Sequence, residues 1–162
     1  MPPSPIRKLV PFAEAAKKKG IRVYHLNIGQ PDIETPPPLL QAVRDADIKV
    51  LEYSHSAGNE SYRRKLVRYY KKLGIDITHE QILVTTGGSE AILFAFFCCL
   101  DPGDEVVIPA PYWVSYPDMA VINEGKPVFV NCPQNNGFKL RAEDLEAAIT
   151  PKTRWFMLNN PC

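Results

Sequence analysis

The regular alternation of short apolar runs with helical segments after Gly74 constrains the fold most. The predicted strands are residues 82–85, 105–108, 127–131 and 154–158. The predicted helices between them are residues 89–100, 112–122 and 140–149. Strands that alternate with helices form parallel sheets, because each helix carries the chain back to the start of the next strand. We therefore expect an α/β fold with a mostly parallel sheet and helices on both faces.

The residues before Gly74 follow a different pattern. Helices are predicted at residues 11–19, 36–45 and 59–73, and a strand at residues 23–28. The third helix has an apolar stripe at helical spacing, formed by Tyr62, Leu66, Tyr69 and Leu73. Its basic residues, including Arg63, Arg64 and Arg68, are predicted to form a solvated face. We expect residues 1–45 to form an arm and part of a second domain, and residues 46–162 to begin the main domain.

Composition and net charge limit the classes of partner that the protein is expected to bind. The chain has 162 residues, of which 45% are hydrophobic, enough for one domain with a core. The net charge is +1, so no overall field attracts nucleic acid or an anionic membrane. The longest apolar run, residues 91–100, is half of the ~20 residues that a membrane span needs. We expect a soluble protein that binds neither nucleic acid nor membrane.

The cysteines and histidines show no metal-ligand spacing. The cysteines are Cys98, Cys99, Cys132 and Cys162, and no pair is separated by two residues. They are predicted to be small buried residues that fill space in a reduced, cytoplasmic protein. No metal site is expected.

Three segments fall where parallel sheets bind ligands, beyond the carboxyl ends of strands. Residues 85–90, Thr-Thr-Gly-Gly-Ser-Glu, join a strand to a helix, whose free N–H groups and dipole favour a phosphate dianion. Trp113 follows the next strand and could stack on a planar cofactor ring. Gly29 could bring backbone next to a small substrate. Each segment also has an alternative without a ligand. Residues 85–90 could be only a tight turn, Trp113 a core aromatic residue, and the segment at Gly29 a plain turn.

In order, these segments resemble the class I/II aminotransferases of pyridoxal 5′-phosphate (PLP) dependent fold type I. The matching pieces are residues 27–32, 53–59, 82–91, 101–106, 111–117, 149–153 and 159–161. The resemblance implies an α/β fold that comprises part of the fold type I large domain, an N-terminal arm and part of the small domain. It also implies a cis peptide bond between Ala110 and Pro111.

The resemblance assigns roles to single residues. Gly88, Ser89 and Glu90 would hold the PLP phosphate, and Trp113 would stack on the pyridine ring. Gly29 would lie against the substrate carboxylate. The residue matching Tyr53 reaches the phosphate of the neighbouring subunit in the family, so a homodimer is implied for the complete enzyme. The cofactor-binding residues that the resemblance implies are Gly88, Ser89, Glu90, Trp113 and Tyr53.

The resemblance also indicates what lies beyond Cys162. The Schiff-base lysine has no match in this sequence, so we expect an N-terminal part of a longer enzyme that is inactive alone. That enzyme would transfer an amino group between an aspartate-like amino acid and a 2-oxo acid. In the family, the strand matching residues 82–85 is not a neighbour of the other three strands, so we expect it to lie apart from them.

Other functions stay open at this point. Another fold type I reaction, such as C–S lysis, would use the same cofactor-binding parts. An aminotransferase-like effector domain of a transcription regulator would need a DNA-binding module before Met1. A nucleotide-binding α/β domain is disfavoured, because neither the Walker loop nor the dinucleotide fingerprint is present.

Overall fold

The computed structural model describes residues 7–27 and 29–160, which fall into two compact units, Met1–Glu52 and Tyr53–Cys162. The first unit contains helices α1 (Val10–Lys18) and α2 (Pro37–Arg44), which begin beside prolines as the sequence predicts. The predicted strand at 23–28 is wrong for residues 23–27, which are irregular. A strand needs a hydrogen-bonded neighbour, and the described part of this unit offers none. Ile28 lies outside the described residues.

The second unit contains the alternating elements. They are α3 (Glu60–Lys72), α4 (Gly88–Cys99), β1 (Glu105–Ala110), α5 (Ser115–Ile122), β2 (Lys126–Asn131), α6 (Ala142–Ala148) and β3 (Thr153–Phe156). Short 3₁₀ helices lie at His79–Gln81 and Gln134–Asn136, and another at Arg7–Leu9 in the first unit. The cis peptide bond between Ala110 and Pro111 is present, as expected. Helix α5 begins later than predicted because residues 112–114 belong to the turn that follows β1.

The three strands form one parallel sheet in the order β2-β1-β3. The chain therefore moves one way from β1 to β2 and returns past β1 to reach β3. Right-handed connections then place α5 and α6 on opposite faces of the sheet. The predicted parallel α/β architecture is confirmed.

The core lies between the central strand β1 and helices α4 and α5. Phe96 of α4 and Ile108 of β1 are fully buried, as is Ala120 of α5. The Phe96 ring meets the Trp155 ring edge-on, with the centroids 5.2 Å apart. The apolar sequence of β1 is explained by this central position, because Val107 is fully buried as well.

The predicted strand at residues 82–85 pairs with no strand of the sheet. Ile82 has extended backbone angles, but the backbone donors of the segment bond to turns rather than to a strand: the Val84 N–H donates to the Ala57 carbonyl at 3.0 Å and the Ile82 N–H to the His79 carbonyl at 3.4 Å. Assigning it as a strand is wrong, although its expected separation from the other three strands is confirmed. Its local sequence favours a strand, whereas the neighbours that would complete one are absent from the described residues.

The solvated face predicted for α3 is wrong at one position. Arg63 is only 5% exposed, whereas Tyr62 and Tyr69 of the predicted apolar stripe are about half exposed. The guanidinium of Arg63 is buried because two backbone carbonyls accept its hydrogen bonds. Burial on this helix thus follows hydrogen bonding rather than apolar spacing.

Candidate functional site

The turn between segment 82–85 and α4 presents backbone N–H groups for which the described residues supply no partner. Gly87 precedes the helix at φ +90°, a backbone conformation that disfavours residues with a Cβ atom, and it has no side chain to cap the helix. Gly88, Ser89 and Glu90 form the first turn, where N–H groups have no partner within a helix. The predicted position of this turn, at the carboxyl end of segment 82–85, is found.

Two hydrogen bonds order the turn. The Thr85 hydroxyl donates to the Gly87 carbonyl at 3.0 Å, and the Thr86 N–H donates to Glu90 Oε2 at 2.5 Å. The Glu90 carboxylate is therefore directed back to the Thr86 backbone. A carboxylate repels a phosphate, so what Glu90 offers an anion is its backbone N–H rather than its side chain.

The turn lies on an open surface. Gly87, Gly88 and Ser89 are exposed, and a Cβ atom added at Gly88 would meet nothing within 4 Å. Within the described residues, the N–H groups of this turn are open to solvent. The space is sufficient for a ligand the size of a phosphate.

Trp113 lies in the turn between β1 and α5. Its side chain is 44% exposed, so it is not part of the core. One edge contacts the Tyr116 ring, with the centroids 5.4 Å apart and the planes at 76°. A large part of the indole is thus free to contact a ligand. No described hydrogen bond or ring contact joins Trp113 to the first turn of α4.

The other two predicted residues lie apart from this turn in the sequence. Tyr53 is fully exposed at the start of the second unit, just before the turn formed by residues 55–58. Gly29 is exposed and belongs to the first unit. A Cβ atom at Gly29 would meet nothing within 4 Å.

Sequence reasoning missed a cavity of about 700 Å³ at the carboxyl end of the sheet. Residues at or just after the ends of all three strands line it, among them Pro109, Tyr112, Cys132, Met157 and Asn159. The position agrees with the rule for ligand sites in parallel sheets. The adjacent polar residues Asn159 and Asn160, which follow β3, are the sequence feature that could have indicated this cavity. None of the residues predicted to bind cofactor or substrate lines this cavity.

The opposite end of the sheet holds a buried carboxylate. Glu105 accepts hydrogen bonds from the Thr150 hydroxyl at 2.6 Å and from Lys126 Nζ at 3.0 Å. The Thr150 hydrogen bond, followed by the contact with Lys126, lowers the pKa of Glu105 below its ordinary value. This group ties β1 to β2 and to the residues before β3. It is therefore a structural interaction, remote from the candidate site.

Comparison with known proteins assigns the class. The architecture matches fold type I aminotransferases, and the sequence profile described as "Aminotransferase class I and II" matches residues 21–162. The chain belongs to this family, whose members generally depend on PLP. Among residues 7–27 and 29–160, no helix is long and apolar enough to cross a membrane.

The chain is similar to proteins named aspartate/prephenate aminotransferase or aspartate aminotransferase. The chain is 42% identical, over 98% of its length, to a probable aspartate/prephenate aminotransferase of Rickettsia conorii. It is 41% identical to an aspartate aminotransferase of Rhizobium meliloti. It also matches solved aspartate aminotransferases of Rhizobium meliloti (TM-score 0.88, 40% identity, 99% of the chain and 41% of that structure) and Thermus thermophilus (TM-score 0.91, 35% identity, 100% and 43%). The chain spans about 40% of the length of the curated relatives it matches.

Proposed function

We propose that this chain is the cofactor-phosphate-binding part of a PLP-dependent aminotransferase. The complete enzyme would move an amino group between aspartate, or a similar amino acid, and a 2-oxo acid. The observation that supports this most is the open first turn of α4, with the N–H groups of Gly88, Ser89 and Glu90 available to an anion. The aminotransferase relatives support the reaction.

The first turn of α4 fits a phosphate dianion. Gly87 and Gly88 lack the Cβ atoms that would narrow the approach, and the exposed Ser89 offers a hydroxyl donor. The positive end of the helix dipole adds to the attraction. PLP, when bound, withdraws electrons and so stabilises negative charge on the α-carbon of an amino acid. The residues of this turn bind and orient the phosphate and move no proton.

The remaining site residues would surround the cofactor and substrate. The exposed indole of Trp113 would cover the pyridine ring, and Gly29 would lie against the substrate carboxylate. The fully exposed Tyr53 would reach the phosphate held by the neighbouring subunit of a homodimer. No residue of this chain is assigned the covalent or proton-transfer role. The proposal places the enzyme in the cytoplasm, where exposed thiols stay reduced. The predicted burial of the cysteines holds for Cys132 but is wrong for Cys98 and Cys99, which are exposed.

Phosphate recognition is tested by comparing two ligands that differ only in that group. The 162-residue chain is titrated with PLP and with pyridoxal, and binding is followed by calorimetry. We expect PLP to bind more tightly, and Ser89→Ala to weaken PLP binding about tenfold while leaving pyridoxal binding unchanged. The loss of one hydrogen bond to a charged group accounts for this difference.

Ser61→Ala is the matched control. Ser61 is the second residue of α3, as Ser89 is of α4, and it is also exposed. We expect this variant to bind PLP as the unaltered chain does. Equal binding of PLP and pyridoxal by the unaltered chain would contradict the proposal.

A further inference from the structure

Arg63 is a buried cation that uses backbone carbonyls as its partners. Its Nε donates to the Gly58 carbonyl at 3.2 Å, and its Nη1 donates to the His79 carbonyl at 2.7 Å. No ion pair joins it to a carboxylate within residues 7–27 and 29–160. The other basic residues of α3, such as Arg64 and Arg68, are exposed. The planar guanidinium is suited to this arrangement because its donors project in fixed directions.

The two carbonyls lie in two stretches of chain that lead to the proposed phosphate contacts. Gly58 belongs to the turn at residues 55–58, and His79 begins the 3₁₀ helix that precedes segment 82–85. Gly58 ends the turn that follows Tyr53, where its N–H donates to the His55 carbonyl at 2.7 Å. The His79 carbonyl also accepts from the Ile82 N–H at 3.4 Å, at the start of segment 82–85. That segment continues directly into the first turn of α4. Arg63 thus donates hydrogen bonds to the last residue of the turn at residues 55–58 and to the 3₁₀ helix just before segment 82–85.

The two segments also contact each other. The Val84 N–H donates to the Ala57 carbonyl at 3.0 Å. A Cβ atom at Gly58 would lie 2.5 Å from Val84 Cβ, so the backbone of the turn packs directly against this side chain. The turn at residues 55–58 and segment 82–85 are thus in direct contact, and Arg63 donates hydrogen bonds to Gly58 in the turn and to His79 just before the segment. A change in the guanidinium contacts would therefore be transmitted to both.

We propose that Arg63 is a positioning residue that sets the first turn of α4 relative to the turn at residues 55–58, which follows Tyr53. This inference rests on the proposed function, because it requires that turn of α4 to bind the phosphate of PLP. Tyr53 would reach the cofactor of the neighbouring subunit, and α4 would hold the cofactor of its own. One guanidinium would thus orient a contact to each of the two cofactors in the dimer.

The test separates positioning from general stability. Arg63→Lys keeps the charge and most of the volume but loses the fork that reaches two carbonyls, and Arg63→Met removes the charge as well. The readout is the ratio of the pyridoxal and PLP dissociation constants of the 162-residue chain. A residue with only a structural role would weaken binding of both ligands and leave this ratio unchanged.

We expect both Arg63 variants to lower the ratio about tenfold, with pyridoxal binding unchanged. Arg68→Met is the matched control, because Arg68 is exposed on the same helix, and we expect it to keep the ratio. Folding of each variant is checked by far-ultraviolet circular dichroism.

Three outcomes would overturn the inference. If both Arg63 variants fold and keep the ratio, Arg63 does not position the turn. If both unfold while Arg68→Met folds, its role is structural. If the unaltered chain shows no preference for PLP, the proposed function fails and the inference fails with it. The first two outcomes leave the proposed function intact, so the two failures are distinguishable.

Discussion

Replacing Gly58 with alanine tests the packing between the two segments that flank the candidate site. The added Cβ atom would lie 2.5 Å from Val84 Cβ and 2.6 Å from Val84 Cγ2, closer than real contacts allow. Gly58 also has φ +90°, in the left-handed region that favours glycine. The substitution therefore combines backbone strain with overpacking.

The two effects can be given magnitudes. A left-handed conformation costs about 1–2 kcal/mol for a residue with a side chain, and overpacking costs about 1–3 kcal/mol. Gly58→Ala should then lower the free energy of unfolding by about 2–5 kcal/mol, a large fraction of the ~5–15 kcal/mol typical of a domain. The measurement is urea unfolding followed by far-ultraviolet circular dichroism.

Gly74→Ala separates the two contributions. Gly74 has φ +77°, but a Cβ atom there would meet nothing within 4 Å. Only the backbone effect of about 1–2 kcal/mol is expected at this position. Gly58→Ala should therefore be about 1–3 kcal/mol more destabilising than Gly74→Ala. Equal losses in the two variants would show that the turn at Gly58 does not pack against Val84 in solution.

Three further predictions concern the sheet, the core and the reaction. Because hydrogen bonds from Thr150 and Lys126 lower the pKa of Glu105 in the folded state, its contribution to stability is present at neutral pH. That contribution is lost as the pH falls below about 4.5 and through the lower folded pKa, and Glu105→Gln should flatten this part of a pH series of urea unfolding curves. Phe96→Ala should lower the free energy of unfolding by about 3–5 kcal/mol, because Phe96 is fully buried. The control Phe97→Ala should change it by less than about 1 kcal/mol, because Phe97 is 60% exposed. The 162-residue chain should show no transaminase turnover with aspartate and 2-oxoglutarate, and borohydride should not attach PLP to one defined lysine. Turnover together with such an adduct would contradict the expectation that this chain lacks the Schiff-base lysine.

The sequence predicted those elements whose pattern depends on local residues. The apolar run of β1 and the paired glycines before α4 indicate a buried strand and a helix start, and both are found. Segment 82–85 has the same kind of apolar sequence, but a strand also needs neighbours, and local sequence does not report them. The cavity at the end of the sheet was missed because residues from separate turns meet there only after folding.

Charge pattern was a poor guide to burial on α3. Arg63 is one of several basic residues on that helix, and sequence gives no reason to distinguish it from Arg64 or Arg68. Its burial depends on carbonyls at Gly58 and His79, one of which lies on a separate 3₁₀ helix. Which carbonyls lie within hydrogen-bond distance of Arg63 depends on the tertiary structure and is not apparent from the sequence. The roles predicted for Trp113 and Tyr53 stay predictions that binding measurements can test.

The most direct test of the phosphate site is a titration of the ¹⁵N-labelled chain with PLP, followed by amide chemical shifts. If the first turn of α4 binds the phosphate, the largest shifts will occur at the N–H groups of Gly88, Ser89 and Glu90. Inorganic phosphate will shift the same signals in the same direction, whereas pyridoxal will not. If PLP instead shifts the signals of Tyr112 and Asn159, which line the cavity at the end of the sheet, and leaves the first turn of α4 unchanged, the proposed site is contradicted.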